Sequence, residues 1–323
     1  MNNFPKVSVL IPTYNSAIYL IEAIESVLNQ TFSDFELIIV DNCSTDNTDE
    51  VVSKYLSDPR IIYKKNETNL GVVSNFNLCL SYASGQYIKF LCADDKFFPH
   101  LLEKFVAVMD NYPGVSLVTS WSQGFGANSR IWKAPFENLQ DGKKIIHKVL
   151  EDYNWLGCPT QVMFRRSNLW LGEFKKLKCL IDLEMWVRHL SIGDCYLIPE
   201  ALSYGRDHAD SITQREVMKN YTMVYESYDL CKAISQNNVY RLNFTEAEIN
   251  SLLKKKAITC TLIIPHMLLK NRKKENFSLM TKSLKIARKE KVLLFALWLI
   301  GIKTLAHLLP LGTATHHLPE IYG

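Results

Sequence analysis

The order of the apolar runs constrains this chain more than any other feature. Residues 7–12 are a short β-branched run ending in Pro12-Thr13-Tyr14-Asn15, which reads as a buried strand. A helix capped by Asn15 or Ser16 follows, with Ile18, Ile21, Ile24, Val27 and Leu28 expected along one face. Residues 35–40 are a second strand ending at Asp41, followed by a helix near 46–56 and a third strand at 60–63. Gly71 opens another helix that runs to about Tyr82 and is stopped by Gly85; a fourth strand, 87–91, runs straight into Asp94-Asp95. This β-α-β-α-β-α-β alternation predicts an α/β fold, with a mostly parallel sheet flanked by helices on both faces. A helix at 99–109 and a strand at 115–121 come next, then an irregular stretch to about Gln214.

Composition narrows the class. With 47% apolar and 22% charged residues, the chain is neither disordered, nor a coiled coil, nor a polytopic membrane protein. The net charge of +4 is too small to argue for nucleic acid. It hides an asymmetry: residues 251–323 carry 13 Lys/Arg and 3 Asp/Glu, net +10, which leaves −6 for residues 1–250. Two parts follow from this, a body at 1–215 and a basic, apolar, helical C-terminal region at 216–323. The eight cysteines form no C-x-x-C pair and mostly sit in apolar stretches, so no zinc knuckle or redox dithiol is expected. No signal-peptide pattern opens the sequence, and a reducing, cytoplasmic setting is the expectation.

In an open α/β sheet, ligands bind beyond the carboxyl ends of the strands. Here three such ends are polar: Pro12 to Asn15, Asp41, and Asp94-Asp95. Single Asp or Asn residues at such places often only cap the next helix, as expected for Asp46. Two adjacent carboxylates repel, however, and a divalent cation with hard oxygen ligands relieves them. There is no G-x-G-x-x-G after the first strand and no G-x-x-x-x-G-K-[ST], so neither a dinucleotide site nor a P-loop is supported.

The segments VSVLIPTYN, NQTFSDFELIIVDNCSTDNT, NLG and GQYIKFLCADD resemble the family 2 glycosyltransferases, over about residues 5–215. The resemblance implies a GT-A fold and transfer of one sugar from a nucleotide diphosphate donor. It places Pro12, Thr13 and Tyr14, with Asn15 beside them, as the wall against the nucleobase. It gives Asp41 a contact to the base, which favours uracil and hence a UDP-sugar, and sets Asn69 near base and ribose. Asp94 falls to ribose or metal, and Asp95 to direct ligation of Mn²⁺ or Mg²⁺. The chain departs from the family where Cys92 replaces the first acid of D-A-D-D and where Phe76 replaces a common Arg. In Ile181-Asp182-Leu183-Glu184-Met185-Trp186-Val187-Arg188, Asp182 matches the family's base, with Glu184 as rival, and Arg188 is placed to orient carboxylates or phosphate. Arg206 and His208, followed by Ser211, resemble the family's R-x-H-x-x-S close, which puts His208 on the metal or the diphosphate. His100, His147, His189, His316 and His317 have no such context.

One base and no covalent nucleophile imply a single displacement with inversion. The absence of Q-x-x-R-W speaks against a processive synthase. The acceptor implied is a glycan or polyprenyl-linked glycan of a surface polysaccharide such as O-antigen or capsule. In the tail, residues 292–302 form an uncharged apolar run too short to span a bilayer, preceded by Lys282, Lys285, Arg288, Lys289 and Lys291. A helix lying on an anionic membrane fits this pattern, on the inner face of the cell membrane; packing on the body or on a second copy is the alternative. A nucleotidyltransferase, a non-catalytic sugar-nucleotide-binding relative and a phospho-receiver are the competing readings.

Overall fold

The computed structural model describes residues 4–127, 129–152, 154–208, 221–236, 240, 242–265 and 274–308. Ser211, His316 and His317 lie outside them. The chain divides into two compact units, Met1–Asn243 and Phe244–Gly323. Composition had put the division near 215. Residues 221–243 belong with the first unit because Glu226 and Tyr240 bond to its loops and helices.

The first unit opens as the alternation predicts. Strands β1 (Val7–Thr13), β2 (Phe35–Asp41), β3 (Ile61–Lys65) and β4 (Tyr87–Phe90) alternate with helices α1 (Ala17–Leu28), α2 (Thr48–Ser53) and α3 (Val72–Tyr82). They pair in parallel as β3-β2-β1-β4. The next strands are β5 (Lys96–Phe97), β6 (Val115–Gly126), β7 (Ile131–Trp132), β8 (Asn138–Gln140), β9 (Met163–Arg165) and β10 (Asp194–Asp207). Among the described residues the sheet runs β3-β2-β1-β4-β9-β6-β10-β5, with β7 on β6 and β8 on β10. Its parallel character is confined to the first four strands and the β6–β10 pair; β9, β5, β7 and β8 all pair antiparallel. β9 is antiparallel to both β4 and β6, so β4, β6 and β10 point the same way. Their carboxyl ends open on one side with those of β1 and β2.

The stretch expected to be irregular contains β10. Its alternation is broken by Pro199-Glu200, where the ladder to β6 shifts register between Ile198 and Ala201 and again before Ser203. Such bulges hide a strand from a period-2 reading. Helices α4 (Leu101–Asn111), α5 (Gly142–Glu151), α6 (Ile181–Leu190) and α7 (Thr222–Gln236) complete the first unit. The core lies between β1, β2 and the helices that cover them, with Val9, Ile11, Leu20, Ile24, Leu37, Ile39 and Phe105 fully buried.

Two local expectations are corrected. The buried side of α1 is Leu20, Ala23, Ile24 and Val27, whereas Ile18 is 77% and Ile21 38% exposed. Its first N–H is capped from another loop, Ala17 N donating to Asp46 Oδ2 at 3.0 Å, and not by Asn15 or Ser16. Asp46 thus holds the loops after β1 and β2 together, beyond capping its own helix.

Gly85 stands where no side chain fits. A Cβ there would lie 2.6 Å from Ser8 N, and its own N–H donates to Ser8 Oγ at 2.8 Å.

In the second unit, α8 (Glu246–Leu262) starts from a capping box in which Thr245 and Glu248 exchange hydrogen bonds. It packs against α9 (Lys274–Lys289) and α10 (Leu293–Leu308), and Ala257, Cys260, Ala287 and Ala296 of these helices are buried. No described helix is long and apolar enough to cross a membrane.

Substituting Gly85→Ala should destabilise the first unit by about 1–3 kcal/mol through overpacking. Chemical denaturation checks this; an unchanged midpoint would show that β1 and the turn before β4 can separate freely.

Candidate active site

The loop after β1 is built by hydrogen bonds from the loop after β2. Asn15, at φ 49°, donates its N–H to Ser44 Oγ (2.8 Å) and accepts from Thr45 N at its Oδ1 (2.8 Å). Asn42 N donates to Thr13 O at 2.9 Å. The result is a shelf on which Tyr14 is 46% exposed, while Thr13 is buried. Asn69 lines the same region. Its Oδ1 accepts from Asn42 Nδ2 (2.8 Å) and Gly71 N (2.9 Å), at the start of α3.

Asp41 lies beneath this shelf and not on it. It is 0% exposed; Oδ1 accepts from Ser44 N (3.0 Å) and Ser44 Oγ (2.5 Å), and Oδ2 from the Tyr63 hydroxyl (3.1 Å). The carboxylate expected to meet a nucleobase is enclosed by its own loop, and the Tyr63 phenol, buried between Asp41 and Asp49, has its pKa raised. Phe76, which stands where the family often has Arg, stacks on Phe90 (5.1 Å) and meets Phe174 edge-on (5.5 Å), so the missing charge is replaced by an aromatic core.

The second cluster forms where β4, the turn before β9 and the end of β10 meet. Asp95 is 6% exposed; its Oδ2 accepts from Thr160 Oγ1 (2.5 Å) and its Oδ1 from Arg206 N (2.9 Å). Asp94 Oδ2 lies 2.9 Å from His208 Nε2. Arg206 donates Nε–H to Asp94 O (2.8 Å) and bonds Glu22 Oε1 (2.7 Å), its guanidinium lying over Tyr19 and Phe125. Burial, then the charge of Asp94, pushes the Asp95 carboxyl up to about 7. Lys89 is wholly buried below, donating to Thr160 O and Val162 O, and burial pulls it down to about 7.

This cluster fits a divalent cation. One atom each of Cys92, Asp94 and Asp95 lie within 4.8 Å of one another, and two carboxylates that repel gain from a shared positive charge. His208 Nδ1 is buried with no hydrogen-bond partner among the described residues. The Cys92 thiol is held well above its ordinary pKa by its hydrogen bond with Cys158, by burial and by the charge of Asp95.

The third part is the start of α6. Asp182 is partly buried, and its Oδ1 accepts from Leu183 N at 2.7 Å. Its carboxylate pairs with no side chain among the described residues, and burial raises its pKa to about 7. Glu184, the rival, is 1% exposed and held by Arg188, Lys175 (2.8 Å) and Tyr240 (2.8 Å), so it is a buried structural charge. Arg188 has no donor left for a phosphate. Its five N–H groups go to Glu184, Leu171 O, Gly172 O and Glu173 O. His189 is a neutral core residue, its pKa lowered to about 3 by burial.

Sequence reasoning missed Thr160, Lys89 and Glu22. Lys89 had a signal, a lysine in the middle of the apolar run YIKF. Thr160 had none.

The model of glycosyl transferase family 2 matches residues 8–171. The chain belongs to this family. It is 42% identical over 245 residues to the uncharacterized glycosyltransferase MJ1057 of Methanocaldococcus jannaschii, covering 73% of this chain and 83% of that one. It is 41% identical over 110 residues to the putative colanic acid biosynthesis glycosyl transferase WcaA of Escherichia coli K12, covering 33% and 39%. Among solved structures, residues 1–349 of S. aureus TarS in complex with UDP-GlcNAc match with a TM-score of 0.69 at 20% identity, over 89% of this chain and 83% of that one. The fold is therefore GT-A and the protein a glycosyltransferase; the nucleotidyltransferase and phospho-receiver readings fall. The family match covers the shelf, Asp94 and Asp95 but ends before Asp182, Arg188, Arg206 and His208.

Arg188→Ala should cost about 3–5 kcal/mol by removing the buried cation paired with Glu184, leaving only the half-exposed Lys175 at that carboxylate, and by stripping the Leu171, Gly172 and Glu173 carbonyls of their donors. Thermal unfolding checks this. A variant of normal stability with weakened nucleotide binding would return Arg188 to the phosphate.

Proposed function

We propose that the protein transfers one sugar, with inversion, from a UDP-sugar to a hydroxyl of a surface-glycan acceptor. The carrying observation is the Asp182 carboxylate, which has no cationic partner among the described residues and a pKa raised by burial to about 7. A carboxylate of that basicity suits proton removal near neutral pH. In one displacement the acceptor oxygen forms the new bond to the anomeric carbon, Asp182 takes its proton, and the bond to the diphosphate breaks with its electron pair on the leaving group. Tyr14, Pro12, Thr13, Asn15 and Asn69 wall the nucleoside, with Asp41 shaping the shelf from beneath. Asp94, Asp95 and His208 would hold the divalent metal, Mn²⁺ or Mg²⁺, and Arg206 fixes the Asp95 carboxylate through its backbone N–H and the Asp94 carbonyl through its guanidinium. When bound, the metal neutralises the departing diphosphate.

A UDP-sugar is supported by the fold shared with TarS, whose complex holds UDP-GlcNAc. The surface glycan is supported by the likeness to WcaA, named for colanic acid biosynthesis. Peripheral membrane attachment is supported by α10. Its Leu294, Phe295, Leu297 and Trp298 are 45–83% exposed, just after Arg288, Lys289 and Lys291. Binding should then be strong to vesicles rich in anionic lipid, weak to neutral ones, and lost in Phe295→Ser/Trp298→Ser, as read by co-sedimentation.

The test of the reaction is nucleoside diphosphate release from UDP-sugars. Release should need Mn²⁺ or Mg²⁺, stop with chelator, and be abolished in Asp182→Asn. Because the folded-state pKa is raised from 3.8 to about 7, the base is charged above about pH 7 and neutralised as pH falls through it. The rate should rise through pH 7 and level off above. The same sign makes the charged form a cost to folding, so Asp182→Asn should be at least as stable as the parent at pH 8. Full turnover in Asp182→Asn would overturn the assignment.

A further inference from the structure

Helix α7 begins 40 residues after Asp182 in sequence, yet one of its side chains grips the loop that leads to Asp182. Glu226 Oε1 accepts from Lys178 N at 2.6 Å, and its Oε2 accepts from Cys179 N at 2.7 Å and Leu180 N at 3.1 Å. Three successive backbone N–H groups thus close on one carboxylate, the arrangement of a backbone anion nest. The last of them, Leu180, is the residue that caps α6, and Asp182 is two residues on. Asp182 itself is held by a single bond to the next N–H. The direction in which its carboxylate points therefore depends on how the chain enters α6.

We propose that Glu226 is a positioning residue for Asp182, setting the entry of α6 so that the carboxylate faces the acceptor hydroxyl. The inference rests on the proposed role of Asp182 as base. A second tie from the same part of the chain supports it. Tyr240 donates its hydroxyl to Glu184 Oε1 (2.8 Å) and accepts from Lys175 Nζ (3.1 Å), so 221–240 clamps α6 on both sides of the segment 178–182. Glu226 does not touch the reacting atoms; it acts on the backbone. Basic side chains stand nearby on the loop, Lys176 and Lys178, both exposed. The carboxylate bypasses them for the N–H groups, which is the choice of a structural anchor and not of a surface ion pair.

The test uses the full-length chain with metal and donor, comparing Glu226→Gln, Glu226→Ala, Asp182→Asn and the double variant Asp182→Asn/Glu226→Ala. Glu226→Ala should lower kcat by about 10–100-fold, the scale of an ångström-sized misplacement, with the donor KM within about 2-fold of the parent. Glu226→Gln, which keeps one carbonyl acceptor but turns an N–H₂ toward the nest, should fall between. The acid limb of the kcat profile should move to lower pH in Glu226→Ala, because a carboxylate released from its buried setting regains water. The double variant should be no slower than Asp182→Asn, since two residues acting through one group are not additive. Parent-like kcat in Glu226→Ala with an inactive Asp182→Asn would overturn the inference and leave the base assignment standing. A loss that only tracks the folded fraction, with the acid limb unmoved, would also overturn it. Full turnover in Asp182→Asn would instead remove the base reading beneath it.

Discussion

The buried carboxylate of Asp95 is the junction on which the rest of the site depends. A carboxylate out of water needs hydrogen-bond donors, and the two it finds come from distant parts of the chain, Thr160 Oγ1 and Arg206 N. Satisfying that one group draws together the end of β4, the turn before β9 and the end of β10. Lys89 buttresses the turn from below through Thr160 O and Val162 O. Arg206 cannot then move without releasing Asp94 O, Asp95 and Glu22 together. His208, two residues on, is carried to Asp94 by the same strand.

The nucleoside side of the crevice uses a comparable device with a different outcome. The Asp41 carboxylate is satisfied within its own neighbourhood, by Ser44 and Tyr63, and holds the shelf from beneath. Asn15 and Ser44 lock the two loops, and Asn42 and Asn69 lock a third. The acceptor side has the opposite electrostatics. Asp182 pairs with no side chain among the described residues, while Glu184 and Arg188, along the same helix, neutralise each other in the interior. One helix thus carries a paired charge that holds it in place and, among the described residues, a carboxylate with no cation beside it.

The legible part of this protein is the part made by local pattern. The first four strands and the polar residues at their ends could be read from apolar periodicity and its interruptions, and Asp94, Asp95, Arg206 and His208 do meet. Where the pattern is local but ambiguous the reading slipped. Ile18 and Ile21 look like a buried face of α1, and only the placement of β1 and β5 selects Leu20 and Ala23 instead. Strand β10 was hidden because Pro199 and Glu200 break its alternation. The role of Arg188 was ambiguous because a guanidinium serves phosphate or backbone carbonyls equally well, and the choice depends on residues 171–173, far away in sequence.

The sequence by itself determined the alternating strands and helices, the polar strand ends, the family and the residues available for chemistry. These follow from side-chain type and spacing along the chain, which act over a few residues. Tertiary structure alone decided which of those residues are open and which are enclosed. Asp41 and Glu184 are enclosed, Asp182 pairs with no side chain among the described residues, and Thr160 reaches Asp95 from a segment with no motif. Burial and hydrogen-bond satisfaction are settled by whatever distant backbone arrives at a side chain, and that is a property of the packed molecule.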